Sequence, residues 1–128
     1  ECENLFLNDE QLQTTIIRFG GLIGPERHPI TMLSGRENLK GGNAPINLIH
    51  LDDCIGIIKS VIEHNHWNAI LNAVYPQHPT KKEYYTKEAL KRGLTPPQYE
   101  SKNNKTYKLI ATCSPFLNNK YCFLTTVN

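Results

Sequence analysis

The stretch from residue 46 to residue 75 limits the possible folds more than any other part of the chain. It opens with a short extended segment, Ile46-Asn47-Leu48-Ile49-His50, that runs directly into a helical pattern. There Cys54, Ile57, Ile58, Val61 and Ile62 recur at i, i+3, i+4, i+7 and i+8, which places one apolar stripe on a helix. Asp52 or Asp53 is placed to accept hydrogen bonds from the first free N–H groups of that helix. An apolar run, Ala69-Ile70-Leu71-Asn72-Ala73-Val74-Tyr75, follows and is closed by Pro76. A strand, a helix with one side to bury and another strand, in immediate succession, predict an α/β fold in which helices cover a sheet.

The flanking segments extend this alternation. Residues 1–13 read as a helix with Cys2, Leu5, Phe6 and Leu12 on its buried side. Thr14-Thr15-Ile16-Ile17-Arg18-Phe19 is a β-branched run bounded by Gly20-Gly21 and reads as a strand inside an α/β sheet. From Gly20 to about Pro45 the chain is rich in glycine, proline and polar residues, a long connection of the kind that carries function. Thr80-Lys81-Lys82-Glu83 fits a capping box, and the helix it opens should stop at Gly93, a left-handed C-cap position. Gly56 on the central helix permits close backbone packing, and Thr106–Ala111 reads as a short strand. Ligands of α/β sheets collect in loops beyond the carboxyl ends of strands. That rule points to Arg18–Pro25 and to His50–Asp53.

At 128 residues the chain is one domain, residues 1–128, large enough to bury a core. Its longest apolar runs are four residues or shorter, so no membrane-spanning helix is expected. The net charge of +2 conceals an asymmetry: residues 1–64 sum to −4 and residues 65–128 to +6. The basic half could suggest nucleic acid, but Lys81, Lys82, Lys87, Lys91 and Arg92 fall on one amphipathic helix without interleaved aromatics. A solvated helix face explains them better, and no nucleic-acid partner is expected. None of Cys2, Cys54, Cys113 and Cys122 lies in a CxxC pair, which suits reduced thiols and a cytoplasmic location. His64 and His66 have no ligands beside them at structural-zinc spacing, so no metal site is expected.

The motifs in order also resemble a known family. Ile17-Arg18-Phe19-Gly20-Gly21-Leu22-Ile23-Gly24-Pro25 is similar to the R-x-x-x-x-Y-G-P stretch of the extended short-chain dehydrogenases/reductases, the NAD-dependent epimerase/dehydratase group. Asn47-Leu48-Ile49-His50-Leu51-Asp52-Asp53 resembles that family's R/N-x-I-H-V-x-D segment at a helix start. Asn72-Ala73-Val74 stands where the family has its Y-N-V strand, and Pro79–Tyr84 resembles the start of its final helix. Gly24-Pro25-Glu26-Arg27 is most similar to the atypical branch of the group, whose substrates are often unassigned. The likeness covers about residues 1–100.

The resemblance implies the C-terminal, substrate-binding portion of a Rossmann-like, NAD(P)-binding epimerase/dehydratase fold, without the N-terminal dinucleotide-binding strands. The eight glycines contain no G-x-G-x-x-G, and none of the six tyrosines has lysine four positions later. The family's catalytic Tyr-x-x-x-Lys is therefore absent, and no catalytic residue is assigned. The opening Glu1, with Met32 as the sole methionine, fits a piece of a longer chain. Carried over residue by residue, Phe19, Gly20, Gly21 and Leu22 match the segment that passes the nicotinamide of NAD or NADP. Arg27, Asn47 and His50 match positions around a nucleotide-sugar substrate, with Arg27 able to pair bidentately with phosphate. Arg36 is a weaker candidate of the same kind.

The expected function is that of a C-terminal fragment of an NAD(P)-dependent sugar-nucleotide epimerase/dehydratase-like oxidoreductase, inactive alone and binding no cofactor by itself. The alternative is a non-catalytic binding or regulatory module with a degenerate dehydrogenase fold. A serine hydrolase is excluded for want of a G-x-S-x-G elbow. An open strand edge and an uncovered apolar face predict self-association.

Overall fold

The computed structural model describes residues 2–101, 107, 109–110 and 114–127. Its elements are helix α1 (Cys2–Leu7), strands β1 (Thr15–Phe19) and β2 (Gly21–Ile23), and a single-turn helix α2 (Ile30–Leu33). Strand β3 (Leu48–His50) leads without a break into helix α3 (Leu51–Glu63), followed by strand β4 (Ala69–Ala73) and helices α4 (Lys81–Lys91) and α5 (Pro115–Lys120). Of the strand predicted at Thr106–Ala111, residues 106, 108 and 111 lie outside the described residues, and 107, 109 and 110 are not in a strand.

Both strand pairings are parallel. β1 pairs with β4 from Thr15↔Ala69 to Phe19↔Ala73, and β2 pairs with β3 from Gly21↔Leu48 to Ile23↔His50. The chain passes from one pair to the other at Gly20: its N–H donates to the Ala73 carbonyl (3.0 Å), while the Gly21 N–H turns to the Asn47 carbonyl (2.7 Å). The Tyr75 N–H in turn donates to the Leu48 carbonyl (2.9 Å), so β3 lies between β2 and the chain leaving β4. The described strands thus form two two-stranded parallel sheets that meet at the Gly20 crossing.

Two apolar clusters hold them together. Cys54, Ile57 and Val61 of α3 pack with Ile49, Leu71, Ala73, Phe116 and Leu117. Ile23, Ile30, Ile46 and Leu48 pack with Tyr75, Tyr84, Tyr85, Ala89 and Val127. The helix termini follow their local chemistry. The Thr80 hydroxyl accepts from the Glu83 N–H (3.2 Å), and the Glu83 carboxylate accepts from the Thr80 N–H (2.9 Å). At the other end Gly93 adopts φ +64°, with Leu94 N–H donating to Ala89 and Gly93 N–H to Leu90, the paired bonds of a Schellman terminus.

Three expectations are corrected. The helix expected over residues 1–13 covers only Cys2–Leu7 and buries no side chain, with Leu5, Phe6 and Leu12 all exposed. The stripe on α3 divides: Cys54, Ile57 and Val61 turn inward, whereas Ile58 and Ile62 join Leu51 and Ile55 on the exposed side. The cap of α3 is neither aspartate but His50, whose Nδ1 accepts from the Asp52 N–H (3.2 Å).

Asp53 has a different task. It is fully buried, and its carboxylate accepts hydrogen bonds from Tyr121 Oη (2.8 Å), the Leu124 N–H (2.7 Å) and Thr125 Oγ1. One carboxylate thus fastens the C-terminal segment across α3, and Gly56 makes room for it. A Cβ on Gly56 would collide with the Tyr121 ring.

Asp53→Ala leaves two hydroxyls and a backbone N–H without their acceptor, a loss expected to cost more than about 3 kcal/mol. Tyr121→Phe removes one donor and should cost about 1–2 kcal/mol. Urea unfolding of the two variants gives the comparison; equal midpoints would remove Asp53 from its place as anchor.

Candidate functional site

The segment that leaves β2 is shaped by turns before any ligand is considered. Gly24 and Arg27 exchange backbone hydrogen bonds (2.9 and 3.3 Å), closing a tight turn over Pro25-Glu26. The chain then enters α2, and the next stretch is tied to residues 95–100 by bonds such as Leu39 N–H to the Gln98 carbonyl (3.0 Å). The long connection expected between Gly20 and Pro45 is therefore an ordered layer containing β2 and α2.

A cleft of about 390 Å³ is lined by Gly21, Leu22 and Leu48 together with Glu26, Arg27, His28 and Met32. Of the candidates named from sequence, the fold brings Gly21, Leu22 and Arg27 together here. Phe19 packs instead against the α3 cluster. Gly20 forms the floor of the strand crossing: a Cβ there would lie 2.7 Å from the Asn47 carbonyl oxygen and 3.2 Å from Val74 Cγ2.

Asn47 lines a neighbouring cavity of about 340 Å³ with Lys81, Tyr85 and Tyr107, and its Oδ1 accepts from the Ile110 N–H (3.0 Å). His50 sits at the C-terminal end of β3 as the α3 cap, with its Nδ1 also 3.3 Å from Asp52 Oδ2. Neither lines the first cleft. Arg36 takes part in the 95–100 layer, its carbonyl accepting from the Gln98 N–H (2.8 Å).

One buried polar cluster at the cleft had no signal in the sequence. His28 is buried; its Nδ1 accepts from the Ile30 N–H (3.2 Å), and its Nε2 lies 3.0 Å from Tyr84 Oη and 3.9 Å from Glu88 Oε2. An Nδ1 that accepts must be bare, so the network assigns the neutral tautomer with Nε2–H donating to Tyr84. Burial lowers the His28 pKa, with Arg92 adding to the effect and Glu88 opposing it. Burial likewise raises the Tyr84 hydroxyl well above the usual phenol range. Burial works against ionised Glu88, but a hydrogen bond and attraction from Lys91, together with His28 and Arg92, keep its pKa below the usual carboxylate value. His28 and Tyr84 are 56 positions apart, and only the fold joins them.

Among the described residues there is no group of three or more His, Cys, Asp or Glu side chains able to hold a metal ion, and no helix long and apolar enough to cross a membrane.

Comparison with known proteins bears on the fold. No family model matches the chain. It is 34% identical over 101 residues to Protein YeeZ of Escherichia coli strain K12, covering 79% of this chain and 36% of that protein, so it spans little more than a third of the curated relative's length. A functionally unknown conserved protein from Silicibacter pomeroyi DSS superimposes with a TM-score of 0.75 at 16% identity, over 98% of this chain and 49% of that one. The NAD complex of dTDP-glucose 4,6-dehydratase from Bacillus anthracis str. Ames superimposes at 0.69 and 18% identity, over 93% of this chain and 42% of that one. Other solved neighbours are nucleotide-sugar epimerases. The fold is accordingly mixed α/β with parallel strands, matching part of a Rossmann-like epimerase/dehydratase fold.

The two glycines at the crossing differ in what would replace their hydrogens. A Cβ on Gly20 meets backbone, whereas one on Gly21 meets the movable end of Leu48, at 2.8 Å from its Cδ2. Gly20→Ala should therefore destabilise by about 1–3 kcal/mol, in the range of other overpacked interiors, and Gly21→Ala by clearly less. Thermal unfolding of both variants tests the order.

Proposed function

We propose that this chain supplies the substrate-binding region of an NAD(P)-dependent sugar-nucleotide epimerase/dehydratase-like oxidoreductase. The observation that carries the reading is the meeting of Gly21 and Leu22 with Arg27 at one cleft, just past the carboxyl end of β1, the side on which α/β folds bind ligands. At Gly21 the backbone itself lines the cleft with the Leu48 side chain packed against it, an apolar surface suited to a flat ring. Arg27 offers a planar, permanently charged fork for a phosphate. NAD bound to the dehydratase neighbour and the nucleotide sugars in the neighbours' names support this pairing.

The residues present fit only the ring end of a dinucleotide. Gly21 and Leu22 would hold it, and the nicotinamide would supply hydride transfer when bound. The pyrophosphate has no glycine-rich turn in this sequence, and no Tyr-x-x-x-Lys is present to move a proton. The chain's own share is to orient the sugar nucleotide, with Arg27 at the phosphate and Leu22, Met32 and Leu48 as its apolar neighbours in the cleft.

The same reading includes self-association of the isolated chain. β1 pairs only with β4 among the described strands, and Leu51, Ile55, Ile58 and Ile62 leave an apolar row on α3 that is 42–56% exposed.

Calorimetry with dTDP-glucose should show binding that weakens about tenfold or more in Arg27→Ala, the scale of one charge-assisted hydrogen bond. NAD should bind weakly, and tight binding of NAD by the 128 residues would overturn the division of labour proposed. Light scattering at high concentration should show oligomers; a monomer throughout would remove the self-association.

A further inference from the structure

His28 stands at the joint between the cleft and the body of the protein. Its backbone carbonyl accepts from Thr31 Oγ1 (2.9 Å) and from the Thr31 N–H (3.2 Å), which anchors it to the first turn of α2. Its ring reaches the other way, to Tyr84 on α4, and lies edge-on to Tyr85 with ring centroids 6.4 Å apart. The residue before it is Arg27, whose backbone is closed onto Gly24. Both ring nitrogens are therefore committed, one as acceptor from the first residue of α2 and one as donor to α4.

We propose that neutral His28 is the positioning residue for Arg27, a latch that fixes the cleft loop on α4 and that protonation of its Nδ1 releases. The inference rests on the reading of Arg27 as the anion-binding group and adds to it a pH range set by a residue that lies under the site.

The chemistry runs in one direction. A proton added at Nδ1 would face the Ile30 N–H, so that two donors confront each other across 3.2 Å and the bond holding the start of α2 is lost. The groups facing the ring are Tyr84, Tyr85 and Glu88 on α4, Lys91 and Arg92 at its end, and Glu26 and Arg27 on the loop that lines the cleft with it. Glu88 alone favours the charged ring among the groups of α4. It is already engaged by Lys91 Nζ (2.9 Å) and Arg92 (3.4 Å).

The sign of the linkage follows. A base whose folded pKa is lowered lets the unfolded chain bind more protons, so stability rises with pH between the two values. The latch is fully present above about 6.5, the ordinary imidazole value, and is lost as the pH falls from there through the folded-state value.

Nitrogen-15 NMR of the whole chain from pH 7.5 to 5.0 reads this directly. His28 should appear as the Nε2–H tautomer, titrate below about 6.5, and carry the amide signals of Gly24, Arg27 and Ile30 with it at one shared midpoint. His28→Asn keeps an acceptor at the Nδ1 position but gives up the Nε2–H bond to Tyr84 and cannot titrate, so those amides should show no midpoint anywhere in the range. Binding of dTDP-glucose, measured in parallel, should weaken in wild type through the same midpoint and stay flat in His28→Asn. Amides of Gly24 and Arg27 that ignore the His28 midpoint, or an Nδ1–H tautomer at pH 7.5, would overturn the latch. Absence of dTDP-glucose binding at every pH would count against the functional reading and leave the latch to be judged on the amide signals.

Discussion

The approach of Gly20 to Asn47 is the constraint on which the rest of this arrangement depends. One strand must leave its partner β4 and, a single residue later, pair with β3, which requires the backbone at the crossing to come so close to the Asn47 carbonyl that no side chain fits between. The gain is geometric. Because β3 enters between β2 and the chain leaving β4, β2 pairs with β3 instead of β4, and Gly21, Leu22 and Leu48 line the cleft. A strand that stayed paired with β4 throughout would leave Gly21 inside a continuous sheet. The glycine pair marks the place where one strand pairing is exchanged for the other beside the cleft.

What could be read from residues alone was whatever local chemistry decides. The β-branched run Thr15–Phe19 forms its strand, Thr80 and Glu83 close their capping box, and Gly93 takes the left-handed conformation that ends α4. What could not be read was decided by partners distant in sequence. Asp53 looked like a helix cap because it stands in a first turn, but its acceptors' geometry is claimed by residues 121–125, some 70 positions later. His50 took the cap instead. Ile58 and Ile62 satisfied the helical period and were still left outside, because the period places a row on one broad face and cannot say how much of that face is covered. The shortened α1 has the same origin: Leu5 and Phe6 are apolar, but no described element packs over them.

The site followed the same division. Gly21, Leu22 and Arg27, close in sequence, came together, while Asn47 and His50 were drawn to a second cavity and a helix terminus by the turn of β3 into α3. His28 escaped notice because a histidine in a loop carries no signal until Tyr84 and Ile30 are placed on either side of it.

Glu88 explains how such a cluster can be tolerated beside an apolar core. Its side chain is only 12% exposed, yet Lys91 and Arg92 from the same stretch of helix reach back to it, with Lys91 balancing most of its charge. If Glu88 lacked those cations, its carboxylate would draw a proton onto the nearby His28 ring, and the acceptor needed by Ile30 would disappear. The basic end of α4, which as a run of charge suggested only a solvated face, therefore has an inward consequence. Arg92 and Lys91 offset the pull of Glu88 on the His28 ring and so add to the burial that favours its neutral form, the state in which the loop bearing Arg27 stays docked on the helix.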